Sequence, residues 1–228
     1  MKRPIALVTG AGTGLGKELA LSLSRSYHMI LVGRRVKPLV ELEASINALN
    51  GTASSVACDV TMPEQLRELI NKLRDSEMLP IDLVVNNAGV GYFGSLESMD
   101  MEEWDLMFRT NVLGPMALTK ALVPYMKEEK SGMFLNILST AALRGKVNES
   151  GYVASKFALR GFSESIAQEL KPFGIRVVRA YMGGMNTPFW EGSTHVDSPE
   201  IFRTPKEVAD IIVENMHDQD EIIIESKR

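Results

Sequence analysis

The fold this sequence predicts is a doubly wound α/β sheet of seven mostly parallel strands, with helices on both faces. Three observations point to it. Short Val/Ile/Leu-rich runs alternate with longer amphipathic stretches, repeatedly along the chain. The runs are apolar almost without interruption, as strands buried on both faces must be. The first run leads directly into a glycine-rich turn that opens a helix.

The elements follow in order. Strands are expected at Ile5–Thr9, Met29–Val32, Ser54–Ala57, Asp82–Val85, Met133–Leu138 and Ile175–Tyr181, with a seventh at Ile222–Glu225. Helices are expected at Gly14–Ser26, Val36–Leu49, Pro63–Arg74, Met101–Glu128, Tyr152–Lys171 and Pro205–His217. Pro63 and Pro205 suit a first helical turn, where the missing N–H would be unpaired anyway. Thr61 is the expected N-cap of the third helix, with Glu64 as its capping-box partner. Gly114-Pro115 supports a kink inside Met101–Glu128. The stretch 183–204 has no clean period and carries Pro188, Phe189, Trp190, His195 and Pro199. A loop this long in a compact domain is usually a lid or binding loop. The whole chain, 1–228, reads as one domain.

Composition removes several function classes. The 228 residues are 45% hydrophobic and 24% charged, with a net charge of −4, which argues against disorder. No long basic run appears, so nucleic acid is not an expected partner. The single cysteine, Cys58, excludes an internal disulfide framework and a Cys-rich zinc site. It reads as a small buried hydrophobe, and a reducing, cytoplasmic compartment fits. No apolar stretch approaches the ~18 residues of a transmembrane helix, so no membrane partner is expected. His195 has no second histidine at ligand spacing, and no metal is expected.

The glycine-rich turn is Thr9-Gly10-Ala11-Gly12-Thr13-Gly14-Leu15-Gly16. It does not meet G-x-G-x-x-G: counted from Gly10 or Gly12, the last position falls on Leu15 or Lys17. Its physics is nonetheless that of a phosphate cradle, with small residues under a helix N-terminus. The pattern Thr-Gly-x-x-x-Gly-x-Gly resembles the cofactor motif of the short-chain dehydrogenase/reductase family, and the later motifs fall in that family's order over nearly the whole chain. The resemblance implies a single-domain Rossmann fold, a nicotinamide cofactor and a Ser–Tyr–Lys catalytic set.

Each later motif is weighed beside that resemblance. After strand 2, an NAD enzyme usually carries an acid for the ribose hydroxyls. Here Gly33-Arg34-Arg35 stands instead, and guanidinium groups suit a 2′-phosphate, so NADP(H) is the expected cofactor. Asp59, with Val60 behind it, follows strand 3. The family implies an adenine contact, while the residues alone fit an Asx turn or a cap. Asn86-Asn87-Ala88-Gly89 ends strand 4. Its asparagines can bond backbone groups and hold adjacent loops together, and the resemblance places Asn87, Ala88 and Gly89 beside the cofactor ribose. Tyr92 and Phe93 are read as either substrate wall or core.

Ser139 ends the fifth strand, and Tyr152 and Lys156 follow as Tyr-Val-Ala-Ser-Lys. A separation of four sets phenol and ammonium on one helix face, where the cation can lower the phenol's pKa and fit it for acid–base work. Ser139 can hold the substrate oxygen. By resemblance, Lys156 also bonds the nicotinamide ribose, and Asn111 opens its helix locally to complete a proton relay. Beyond strand 6, Met182 stands where the family usually has proline. The Gly183 turn and Thr187, which the family sets near the carboxamide, are retained.

These readings predict an NADP(H)-dependent oxidoreductase acting on a small-molecule carbonyl or alcohol. A nucleotide-sensing protein on the same fold is one alternative. A sugar-nucleotide epimerase or dehydratase is another, although that class needs a larger domain after Thr204. A homodimer or homotetramer is expected, paired through helices whose apolar stripes include Phe157, Leu159, Phe162 and Ile166.

Overall fold

The computed structural model describes residues 3–226. Seven strands, β1 (Ile5–Thr9), β2 (His28–Gly33), β3 (Thr52–Ala57), β4 (Leu83–Asn86), β5 (Gly132–Ser139), β6 (Ile175–Met182) and β7 (Glu221–Ile224), form one sheet. Its order is β3-β2-β1-β4-β5-β6-β7, and every neighbouring pair is parallel. Alternate strand residues face opposite layers. Ala6, Val8, Met29 and Leu31 pack under helices α1 (Gly14–Leu23), α2 (Val36–Ala48) and α7 (Pro205–Asn215). Ile5, Leu7, Ile30 and Phe134 pack under α3 (Pro63–Asp75), α5 (Gly114–Glu129) and α6 (Ser150–Leu170). The strand order reverses between β1 and β4, where a crevice must open at the carboxyl ends of the strands.

Four expectations are corrected. The single span Met101–Glu128 is divided, at the place where Asn111 was expected to open it: α4 (Met101–Phe108) passes into a π-helical turn at Arg109–Leu113, where Gly114 N–H reaches back to the Arg109 carbonyl, and only then into α5. Thr61 is not the cap of α3. Met62 holds that position, while the Thr61 N–H and hydroxyl both donate to Asp59 Oδ1, at 2.9 and 2.8 Å. Glu64 turns instead to Arg67. The expected stripe on α6 divides, with Leu159 and Ile166 in the core and Phe157 exposed near 42%. Lastly, β6 continues one residue further than expected. Met182 pairs with Ser139 on one side and Ile224 on the other, a position in mid-sheet where a proline would remove a ladder donor.

Among the described residues, no helix is long and apolar enough to cross a membrane.

Candidate active site

The β1–β4 crevice is a cleft of about 630 Å³. One end is made largely of backbone. Gly10 turns β1 with φ +65°, a conformation that favours glycine, and Thr13 precedes the first residue of α1. Gly12, Thr13, Gly14 and Leu15 line the cleft wall behind it. Gly16 lies beneath: a Cβ there would run into Asn87 Nδ2 and the Gly10 carbonyl. Asn87 ties the two strand ends together, donating from Nδ2 to the carbonyls of Thr9 (2.8 Å) and Gly10 (3.3 Å). The Thr9 hydroxyl accepts from the N–H groups of Asn87 and Ala88, both at 3.0 Å. Thr9, the first residue of the motif, therefore supports the turn from beneath.

Arg34 and Arg35 sit at the outer corner of this end, both exposed. Neither is in an ion pair or hydrogen bond with another described residue. Asp59 and buried Val60 form the adjoining wall. Asp59 makes its Asx turn with Thr61, as the residues alone suggested, and also lines the cleft. Cys58 is buried, and its thiol is pushed up to about 11 by that burial and by Asp59 and Glu68, which suits an inert packing role.

The other end is made of side chains. Ser139 caps a short 3-10 turn, its hydroxyl accepting from Ala141 N–H at 3.1 Å. Tyr152 lies in the first turn of α6, and Lys156 one turn on, 5% exposed. The Lys156 ammonium sits 5.8 Å from the centre of the Tyr152 ring and donates to the Ile137 carbonyl at 3.1 Å. Burial is the dominant influence on both. It lowers the Lys156 ammonium from 10.5 to about 8. It also raises the Tyr152 phenol well above its ordinary value, with the Ser139 hydroxyl pulling down and Glu149 pushing up. The expected lowering of the phenol by its lysine is not seen in this form: the one group that pulls it down is Ser139, and loss of solvent dominates.

Asn111 is fully buried in the π-helical turn. It clamps Val90 from both sides, accepting from its N–H at 2.9 Å and donating to its carbonyl at 2.8 Å, with a further bond to Ser155 Oγ at 3.0 Å. This fixes the loop after β4. Gly89 is thereby held between Asn111 and Lys156, at 3.2 and 3.7 Å from where its Cβ would be.

The segment 183–204 closes the side-chain end. Gly183 N–H joins it to the Ile224 carbonyl, and Asn186 N–H to the Arg203 carbonyl. Thr187 approaches Gly14, linking this segment to the glycine turn. Phe189 and Trp190 pack on Phe93, and Tyr152 meets Phe93 edge-on at 5.4 Å and Phe189 at 5.8 Å. Gly91 leaves room for these rings, since a Cβ there would lie 2.5 Å from Phe189 and 2.7 Å from Phe93. Sequence reasoning missed Glu149, a buried carboxylate on the same wall. No sequence motif marks it. Among the described residues, no three His, Cys, Asp or Glu side chains converge on a point.

Comparisons with known proteins bear on the family and the fold. A family model described as short chain dehydrogenase matches residues 4–197. An uncharacterized oxidoreductase of Bacillus subtilis, YusZ, is 38% identical over 196 residues, covering 85% of this chain and 69% of that protein. The 3-ketodihydrosphingosine reductase of Bacteroides thetaiotaomicron is 35% identical over 189 residues, covering 83% of this chain and 66% of that one. The chain thus spans about two thirds of the length of each. A metagenomic short-chain oxidoreductase solved in complex with NADP superposes with a TM-score of 0.84 at 29% identity, covering 100% of this chain and 99% of that one. The family match over most of this chain, on a parallel sheet whose glycine turn is crossed by Asn87 and whose cleft holds half-buried Tyr152 one turn from buried Lys156, places this protein among the oxidoreductases of the short-chain dehydrogenase family.

Proposed function

We propose that the chain reduces a carbonyl compound to a secondary or primary alcohol with NADPH, and catalyses the reverse with NADP. The observation that carries this reading is the continuity of the cleft, from the unpaired Arg34–Arg35 corner, under the glycine turn, to Tyr152 and Lys156. The residues present fit such a cofactor. A Cβ-free path lies along Gly10, Gly12 and Gly14, and the two arginines at the outer corner, without side-chain partners, would suit a 2′-phosphate. Asp59, Val60, Asn87, Ala88 and Gly89 would flank the adenosine half, and Gly183 and Thr187 the nicotinamide half. The structure solved with NADP supports the same choice for this relative.

Bound NADPH supplies the hydride, and the chain supplies position and a proton. The Ser139 hydroxyl would hold the substrate oxygen. Tyr152 would give that oxygen its phenolic proton as the alcohol forms. Burial keeps the phenol protonated in this form, which suits the donor role. Lys156, held by the Ile137 carbonyl, would bond the cofactor ribose and offset the negative charge left on Tyr152. Asn111 would complete the relay by keeping the helix open and the Val90 loop beside Lys156. A regulatory protein that only senses nucleotide would have no use for the Ser139–Tyr152–Lys156 set.

A panel of ketones and aldehydes, scored by NADPH oxidation with NADH in parallel, tests the reading. Turnover with NADPH well above that with NADH is expected. Absence of turnover with every carbonyl, despite measured NADPH binding, would favour the sensor. We also propose a homodimer or homotetramer, because Phe108, Leu113, Met116 and Phe157 leave apolar surface on the α4–α5 and α6 helices. A monomer mass by light scattering at micromolar concentration would overturn that.

A further inference from the structure

A second group of titratable side chains lies on the substrate wall, outside the Ser139–Tyr152–Lys156 set. Glu149 immediately precedes α6 and is only 7% exposed. Its Oε1 lies 3.1 Å from His195 Nε2, and its Oε2 3.7 Å from Lys146 Nζ. Lys146 belongs to the same loop, whereas His195 comes from the tip of the 183–204 segment. Tyr152 faces Glu149 from α6, and Glu191, exposed, lines the cleft from the segment. A carboxylate this buried is costly unless charged or donating partners meet it.

His195 does more than bond Glu149. Its ring stacks on Phe93 at 4.6 Å with an interplanar angle of 12°, and lies 6.4 Å from Trp190. Phe93 carries Trp190 at 5.4 Å and Phe189 at 6.0 Å. The base of the segment is secured separately, by Asn186 to Arg203 and by Trp190 Nε1 to the Met185 carbonyl at 2.9 Å. The His195–Glu149 contact therefore adds a second hold, which presses the tip onto Phe93 and, through it, onto Trp190. With Lys146 already paired to Glu149 and Lys156 committed to the Ile137 carbonyl behind Tyr152, the described residues of this wall offer rings and no free cation.

We propose that Glu149 is a positioning residue which, through His195, seats Phe189 and Trp190 against Phe93 as the substrate wall beside Tyr152, so that the site selects neutral, ring-bearing ketones or aldehydes. The proposal rests on the reductase reading for its substrate class, but its geometry is read without turnover. Rings accept a ring offset or edge-on, and a carboxylate or phosphate on the substrate would have no unpaired cation to meet there.

The test uses the full chain in a Trp104→Phe background, which leaves Trp190 as the one remaining tryptophan. Acrylamide quenching of Trp190 is measured without substrate in His195→Ala, Glu149→Ala and His195→Gln, each checked by thermal melting. Quenching is expected to roughly double in the two alanine variants, as the tip is released, and to return towards the parent value in His195→Gln, which keeps an N–H for Glu149. In steady state, KM for an aryl alkyl ketone should rise about tenfold in His195→Ala, the scale of one charge-assisted hydrogen bond, while kcat falls much less. KM for a short aliphatic aldehyde should move little. Unchanged quenching in both alanine variants would overturn the seating, and equal KM shifts for ketone and aliphatic aldehyde would overturn the selection. If the parent turns over no carbonyl, the reductase reading and the substrate class fail together, and the quenching result still decides the seating.

Discussion

The two ends of the cleft are built on different principles. The end at β1 and β2 is shaped by backbone: a turn with φ +65° at Gly10, a helix N-terminus, and a carbonyl pair held by Asn87. The end at β5 and β6 is shaped by side chains from three separate stretches, namely Phe93, Glu149 with Tyr152 and Lys156, and Phe189 with Trp190 and His195. A backbone site is spoiled by adding atoms. A side-chain site is spoiled by removing them or changing their charge. The first can serve one shared cofactor across many relatives, while the second can be rebuilt for each substrate.

That contrast can be broken most severely at Gly16. In Gly16→Val, new atoms would fall on Asn87 Nδ2 and the Gly10 carbonyl, forcing apart the two strand ends. Overpacking of this kind costs about 1–3 kcal/mol of stability. NADPH affinity by calorimetry should fall by roughly a hundredfold or more, because the phosphate cradle itself is displaced. Wild-type affinity in a well-folded variant would show that the turn is not crowded in this way.

Arg34→Asp sharpens the comparison, since it changes charge at the backbone-built end without moving the turn. A charge-assisted bond to phosphate is worth ~1.5–3 kcal/mol, or about tenfold to a hundredfold in affinity. The variant should bind NADH more tightly than NADPH, reversing the parent, in paired fluorescence titrations. The parent's preference should also shrink as salt rises. Equal affinities for NADPH and NADH in the parent would mean that both arginines are merely solvated.

The pH profile probes the side-chain end. Burial lowers the Lys156 ammonium from 10.5 to about 8, so its charge is lost as pH rises through about 8, where an ordinary lysine keeps it. kcat/KM for reduction should therefore fall above pH 8, approaching about tenfold per pH unit, because that quantity reports the free enzyme. The same shift has the opposite sign for stability. Burying the ammonium costs stability at and below pH 8, and the cost is relieved as pH rises from 8 towards 10.5. A rate that is flat from pH 7 to 10 would remove Lys156 from the proton path. The smallest effect is expected at Phe189→Ala, where loss of one wall ring should raise KM for a ring-bearing ketone by about threefold to tenfold, with little change in kcat.

The same division explains what the sequence disclosed. Strand and helix identities were legible because they depend on local pattern: Leu15, Leu19 and Leu23 mark one face of α1, and Leu66, Leu69 and Leu73 one face of α3. The glycine turn was legible because its residues are contiguous. Ser139, Tyr152 and Lys156 were expected together through family resemblance, and the fold brings them to one wall. Thr61 was misread as a cap because Asp59, two residues earlier, competes for its N–H and hydroxyl. Leu159 and Ile166 were misread as interface because an apolar stripe does not say which layer it will meet. The seat of His195 was hidden for a plainer reason. Glu149 and Phe93, its partners, lie 46 and 102 residues away in the chain, and no local period links them.

The proposed transfer of a proton from Tyr152 to a substrate oxygen, inside a cleft loaded with NADPH, is the step that the other residues serve. The most direct measurement compares Tyr152→Phe with the parent, using the same preparation for NADPH titration and for steady-state reduction of a ketone that the parent turns over. The ring and its contacts with Phe93 and Phe189 would remain, and only the hydroxyl would go. NADPH should bind with parental affinity, while kcat should fall by roughly a thousandfold or more, the upper range for loss of a positioned acid. A variant with kcat close to the parent would contradict the account and assign the proton to another group.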